Sequence, residues 1–254
     1  PTVLRNGDLM ISRYASLRQG LVGAWCPSLG ASGFRLIDRS GYNNHGVLIG
    51  MDPGTDWVAS GGKGALDFDG VNDQVNLGSS VLLDSRDFTI SFWASQTGAS
   101  SATMPIGNRN TTNSYIWFRS ANYLRIAFPV GTVEFSSVTS FVGWSHYVLT
   151  GKTSSSGLSS INLSVNSIAQ SPINISDSTF TVNTLGAGYS GSFWFLGQID
   201  DVRTYNRALT PSEIQLLYTG GRGVGLAPER IKHRRKTTAA AFNRRRRLIC
   251  GANC

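Results

Sequence analysis

GQIDDVRTYNRALTPSEIQLLY, residues 197–218, changes its period halfway along. From Gly197 to Tyr205 it is rich in β-branched and aromatic residues and reads as a strand. Beyond that, Thr210, Pro211 and Glu213 supply an N-cap, a first-turn proline and a capping-box acid, and Gly220 supplies the stop. Ile214, Leu217 and Tyr218 share one helical face. The stretch therefore predicts a strand feeding a short amphipathic helix that packs on a sheet.

Upstream, strand-like runs recur between clusters of Gly, Asn, Ser and Asp: HGVLIG, DQVNLG, FTISFWAS, SYIWFRS, YLRIAF, SHYVLT, INLSV. Such spacing predicts an all-β sandwich or barrel of many antiparallel strands. FTISFWAS alternates cleanly, with Phe88, Ile90, Phe92 and Ala94 on one side and Thr89, Ser91, Trp93 and Ser95 on the other. One side is core; the other is free for a ligand or a second layer. GAGYSG, at 186–191, fits the glycine pattern of phosphate loops, but it precedes a strand-like run and opens no helix. It is set aside.

The 254 residues are 10% aromatic and 15% charged, a composition that buries a large core. The formal net charge of +8 is local. Arg230, Lys232, Arg234, Arg235, Lys236, Arg244, Arg245, Arg246 and Arg247 face the lone Glu229 beyond Pro228, which leaves the rest of the chain balanced. Three units follow: an arm at 1–20 with Arg5, Arg13 and Arg18, a sandwich at 21–221, and a glycine-rich hinge with a basic tail at 222–254. Cys26, Cys250 and Cys254 are too few for a disulfide scaffold, and no stretch approaches the ~18–20 apolar residues of a membrane span. PTVLRNGDLM lacks the basic start and apolar run of a secretory signal, so synthesis in a reducing cytoplasm is expected, with a processed secretory precursor as the alternative.

Four segments in order, GLVGAW (20–25), IDRSGYNNHGVL (37–48), GALDFDGVNDQVNLG (64–78) and the opening stretch, resemble laminin-G-like domains of the concanavalin A-like lectin/glucanase superfamily. The resemblance covers residues ~21–220 and implies a jelly roll of two curved antiparallel sheets. It also implies a possible cofactor, calcium, which is bound by many relatives. Asp38, Asp69, Asn72, Asp73, Asp200 and Asp201 are the oxygen donors for such a site, though no cofactor is required by the fold. The plainer reading makes Asp69-Gly70 and Asn72-Asp73 turn formers, His45 a hydrogen-bonded structural group, and Asp200 or Asp201 a partner of Arg203 or Arg207.

Catalysis is not expected. Glucanase relatives need two carboxylates ~5–5.5 Å apart for retaining chemistry, whereas Glu134, Glu213 and Glu229 stand far apart and form no close pair. No nucleophile elbow is present, His146 lies in an apparent strand, and Cys26 reads as core. Binding is the better class. Trp93, Tyr115, Trp117, Tyr123 and Trp194 are the aromatic candidates for stacking on sugar rings, each with a competing role in cross-strand packing. Asn-x-Ser/Thr sites at Asn110, Asn162 and Asn174 matter only for a secreted chain.

A charge run is ordinarily a solvated extension, yet this tail interleaves its cations with Ala239, Ala240, Ala241, Phe242, Leu248 and Ile249. Phe242 and the nine cations are the expected partner anchors. A balanced lectin-like body with a basic anchor resembles accessory structural proteins of tailed bacteriophages. That resemblance implies a virion component, a capsid or tail decoration gripping its shell proteins and facing outward to a host-surface glycan. A free extracellular carbohydrate-binding module or adhesin, a homo-oligomer, and nucleic-acid contact through the tail alone stay open.

Overall fold

The computed structural model describes residues 14–226, apart from 84–86, 98–102, 111–113, 121, 137, 139–142, 155–158, 177–178 and 189–192. The partner-anchoring set, Arg230 through Arg247 with Phe242, therefore lies outside the described residues.

In chain order the strands are β1 (Leu21–Trp25), β2 (Arg35–Leu36), β3 (Gly46–Ile49), β4 (Trp57–Ser60), β5 (Lys63–Asp69) and β6 (Gln74–Leu83). β7 (Phe88–Gln96), β8 (Thr103–Gly107), β9 (Tyr115–Ser120), β10 (Tyr123–Phe128), β11 (Gly131–Phe135) and β12 (Ser145–Thr153) follow. The last are β13 (Ser159–Val165), β14 (Ile168–Ala169), β15 (Ile173–Ile175), β16 (Phe180–Leu185) and β17 (Leu196–Tyr205). The helix α1 (Pro211–Gly220) closes the series. Sheet A runs β14-β13-β12-β7-β17-β5-β4, with β1 also on β17 and β15 also on β13. Sheet B runs β11-β10-β9-β8-β16-β6-β3-β2. The strand pairings are antiparallel throughout. The expected sandwich is present.

Alternation decides what fills the gap. Phe88, Ile90, Phe92 and Ala94 of β7 all point into the core, as their period predicts. Phe92 stacks across the sheets on Phe118 at 6.3 Å, and Phe88 does the same on Phe180 at 6.3 Å. Such pairs add about 0.5–1.5 kcal/mol beyond their buried area. Gly186, from the discarded glycine string, has φ +81°, and a Cβ there would lie 2.2 Å from the Phe68 ring. Its glycine serves backbone conformation and packing.

The DFDGVNDQV turn links strands as expected, with a difference: β5 belongs to sheet A and β6 to sheet B. The turn is a corner between layers and not a hairpin. Asp69 Oδ1 accepts the Val71 N–H at 2.8 Å, and Asp73 Oδ2 accepts the Asp69 N–H at 3.0 Å, so the two carboxylates shape the corner.

A second apolar cluster lies on the far side of sheet A. Leu17, Leu21, Ala24, Cys26, Val148, Tyr205, Leu209, Ile214, Leu217 and Leu226 pack together there, under α1. The predicted capping box is complete: Thr210 Oγ1 accepts the Glu213 N–H, and Glu213 Oε2 accepts the Thr210 N–H at 3.0 Å. The helix ends one residue later than expected, with Gly221 at φ +69° as its C-cap. Beyond it, Arg222–Leu226 fold back on the body: Arg222 lies 4.1 Å above the Trp144 ring, and Leu226 is buried. Tyr14 packs with that cluster and against Gly225, so both ends of the described chain meet on this side.

Candidate functional site

The outward side chains of the two sheets have opposite fates. On sheet A, Trp93 stacks on His146 at 4.9 Å and on Tyr218 of α1 at 5.9 Å. Ser91 Oγ lies 2.9 Å from His146 Nε2, and burial pulls the imidazole pKa down to about 3, so it is neutral. Trp93 is thus part of the joint between helix and sheet, set apart from the other four aromatic candidates.

On sheet B, Tyr115 and Trp117 of β9 alternate with the core residues Ile116 and Phe118 and point outward. Phe193, 40% exposed, meets Trp117 at 5.1 Å, and Trp194 follows it in the chain. Tyr115 meets Trp117 edge-on at 6.2 Å, and Tyr123 is exposed at the start of β10. The guanidinium groups of Arg119 and Arg125 lie 5.6 and 5.2 Å from the Trp117 ring. Both pair with Glu134 of β11, whose carboxyl pKa is lowered mainly by the Arg125 hydrogen bond. The Trp117 indole N–H is buried with no acceptor among the described residues.

A smaller polar hollow of about 210 Å³ adjoins this patch, lined by Asn76, Gly78, Arg109, Asn110, Asn183 and Thr184. Asn183 Oδ1 accepts the Arg109 N–H at 2.9 Å, and the Arg109 side chain donates to Gln74 Oε1 and lies 5.9 Å from the Trp194 ring. The face therefore joins aromatic platforms to amide and guanidinium donors, the two kinds of group that hold a polyhydroxylated ring. Phe193, Arg109, Arg119, Arg125 and Asn183 were missing from the sequence-based set. Period-2 reading of YIWFRS and YLRIAF would have supplied Arg119 and Arg125. Arg109 and Asn183 meet only through the order of strands in sheet B.

The six oxygen donors expected for calcium go to separate places. Asp38 caps a turn, accepting the Ala24, Ser40 and Asn44 N–H groups at 2.8–2.9 Å, beside His45, whose Nδ1 accepts the Asp38 N–H. Asp69, Asn72 and Asp73 form the corner between sheets, where burial and neighbouring acids push the Asp73 pKa up to about 6. Asp200 and Asp201 lie in β17. A strand would send them to opposite sides, but a bulge with Asp201 at φ +48° buries both. Asp201 grips Arg203 at 2.8 Å through two bonds; Asp200 accepts the Ser28 N–H at 3.0 Å and faces Arg222 at 3.5 Å. Burial raises the Asp200 pKa to about 6. No group of three or more His, Cys, Asp or Glu suited to a metal ion occurs among the described residues.

Two larger hollows open on the side of sheet A. One, of about 470 Å³, lies beside the returning chain at Lys63, Arg222 and Val224. The other, about 370 Å³, is a largely apolar groove between α1 and β12–β13, at Val148, Leu163, Leu209 and Ile214. Neither gathers aromatic rings with polar donors. No helix among the described residues is long and apolar enough to cross a membrane.

A laminin G domain model, described as concanavalin A-like lectin/glucanases superfamily, matches residues 69–215. No curated protein matches the sequence. Among solved structures, domain 4 of AbnA, an extracellular arabinanase of Geobacillus stearothermophilus in complex with arabinotriose, is similar with a TM-score of 0.52 and 16% identity, over 77% of this chain and 96% of that one. The receptor-binding domain of botulinum neurotoxin mosaic serotype C/D is similar with a TM-score of 0.58 and 14% identity, over 80% of this chain and 51% of that one. The binding domain of Paraclostridial Mosquitocidal Protein 1 gives 0.53 and 18%, over 80% and 52%. The chain spans about half the length of these toxin domains. At such identities the likeness is one of fold.

Proposed function

The chain belongs to the concanavalin A-like lectin/glucanase superfamily, and from that premise we propose that it is a non-enzymatic glycan-binding protein anchored by its basic tail. The observation that carries this reading is the contrast between the two outer faces. Sheet B leaves Tyr115, Trp117, Phe193 and Trp194 beside Arg109, Arg119 and Arg125, while α1 and the returning chain cover much of sheet A.

Carboxylates otherwise suited to glycoside chemistry have other duties. Glu213 is gripped by Arg207 at 2.7 and 2.8 Å, which holds its pKa at about 2, and Glu134 is bound by two arginines. Asp200 and Asp201 are buried in β17. The solved arabinanase domain carries arabinotriose, which supports a sugar on this fold. Binding of a printed glycan array by the full chain, lost in Trp117→Ala and Trp194→Ala but kept in Trp93→Phe, is the expected result. Equal binding by all four proteins would move the site elsewhere.

The attachment half rests on charge and placement. Tyr14 and Leu226 share one cluster, so the described residues begin and end on the same side, and the nine cations follow in the sequence beyond Leu226. The setting we propose is a virion, with capsid or tail proteins as the acidic partner and the sheet B face outward. Deleting residues 228–254 is expected to abolish incorporation and leave the glycan site intact. Should the truncated chain still incorporate, the tail is no anchor. Steep loss of nucleic-acid affinity with salt by the tail alone would favour the nucleic-acid alternative.

A further inference from the structure

We infer that the hollow at Arg109 is an anion-recognising subsite, and that the preferred glycan carries a carboxylate or sulfate there. The inference rests on the glycan reading of the sheet B face and names the chemical class of its ligand.

Arg109 differs from the ion-paired arginines of the fold. Arg203 faces Asp201, Arg207 faces Glu213, Arg222 faces Asp200, and Arg119 and Arg125 share Glu134. Arg109 is half-buried and has no carboxylate partner among the described residues. Its side chain is nevertheless held in place, because Nη1 donates to the neutral Gln74 oxygen and the guanidinium lies over Trp194. Nε and Nη2 have no acceptor among the described residues, and a guanidinium offers five N–H donors in a planar fork suited to an oxyanion.

The turn that carries Arg109 is fixed as well. Asn108 Nδ2 donates to Thr181 Oγ1 at 2.7 Å, Asn108 Oδ1 accepts the Asn110 N–H at 2.9 Å, and Asn183 Oδ1 accepts the Arg109 N–H. Thr184 Oγ1 donates to the same Asn183 oxygen at 2.8 Å, so the acceptor end of that amide is occupied and its NH₂ remains for a ligand. Asn76 and Asn110 add further amides to the lining. At about 210 Å³ the hollow falls below the roughly 300–1,000 Å³ of drug-sized pockets, which suits one sugar unit. At Gly78 a Cβ would meet nothing within 4 Å, so that edge is open to the next unit of a chain.

Arg119 and Arg125 do not make an equivalent site. Their shared carboxylate already neutralises part of their charge, and both lie against Trp117, where they frame a stacking platform.

The test uses the full chain on an array in which each carboxylated or sulfated glycan stands beside its uncharged parent. Wild type should hold the acidic member at least about tenfold more tightly, the uronate and sulfate arms showing which anion is preferred. Arg109→Gln should erase the preference, weakening the acidic members at least about tenfold more than their uncharged parents, and Arg109→Lys should restore part of it; thermal melts confirm that both variants fold. The basic tail is present in every protein, so an acid preference that survives in Arg109→Gln belongs to the tail and overturns the inference. Equal binding of acidic and neutral members through Trp117 also overturns it but leaves the glycan reading standing. No binding to any glycan removes both.

Discussion

The outer faces of the two sheets begin from the same alternating pattern and end differently. On sheet A, the outward residues Trp93, His146, Val148 and Tyr205 are covered by α1 and the segments at the two ends of the described chain. On sheet B, the outward residues Tyr115, Trp117, Arg119 and Arg125 keep partial exposure and are charged or polar at their tips. Charge follows the same division. Under the cover, Arg203 and Asp201 are 1% and 3% exposed; on the open face, Arg119 and Glu134 are 48% and 39% exposed. Ion pairs in the first setting are structural necessities and in the second are adjustable.

The comparison is broken most severely at Asp201. Asp201→Asn keeps the shape and tolerates the positive φ at that position, but it leaves the Arg203 guanidinium buried without its counter-charge. A loss of about 3–5 kcal/mol in unfolding free energy is expected, read by denaturant titration. A loss below about 1 kcal/mol would mean that the covered side is as forgiving as the open one.

His146 makes the cover sensitive to acid. Its pKa is lowered from 6.5 to about 3 in the fold, so the unfolded chain binds the extra proton between those values. Stability from keeping it neutral is full above pH 6.5 and drains as pH falls towards 3, by at most about 1.4 kcal/mol per pH unit. Asp73 and Asp200, raised from 3.8 to about 6, have the opposite sign: their contribution is full below 3.8 and is lost as pH rises through 6. Comparing wild type with His146→Gln separates the two, since the difference between the curves should be flat above pH 6.5 and fall below it.

Thr210→Ala tests the cover at its edge. It deletes one half of the capping box and is expected to cost about 1 kcal/mol, with hydrogen exchange rising in α1 and unchanged in sheet B. Exchange that rose equally in both would show that the helix and the open face are one cooperative unit.

The same division explains what could be read in advance. Local signals were legible: the capping box at Thr210, the alternation of β7, the turn chemistry around Asp38 and Asp69. Each is written within a few residues and fixed by hydrogen bonds of short span. Which outward face would be covered was not, because Trp93 meets Tyr218 across 125 residues of sequence and nothing near Trp93 marks it for burial. The corner at Asp69–Asp73 has hairpin chemistry but joins two sheets, a choice made by packing. The hollow at Arg109 depends on β16 lying between β6 and β8, an order that local pattern does not encode.

Glu134→Gln completes the comparison as the mirror of Asp201→Asn, the same change from carboxylate to amide made on the open face. Its partners Arg119 and Arg125 are in contact with water and with Trp117, so their charges remain solvated when the carboxylate goes. Stability should move by no more than about 0.5 kcal/mol, within the range of exposed pairs. The face gains one unit of positive charge, however, and acidic glycans should bind a few-fold more tightly at low ionic strength, with the gain fading as the Debye length falls below about 8 Å. A destabilisation comparable to that of Asp201→Asn would mean that Glu134 clamps β9, β10 and β11 together, and that the open face is held by its charges as firmly as the covered one.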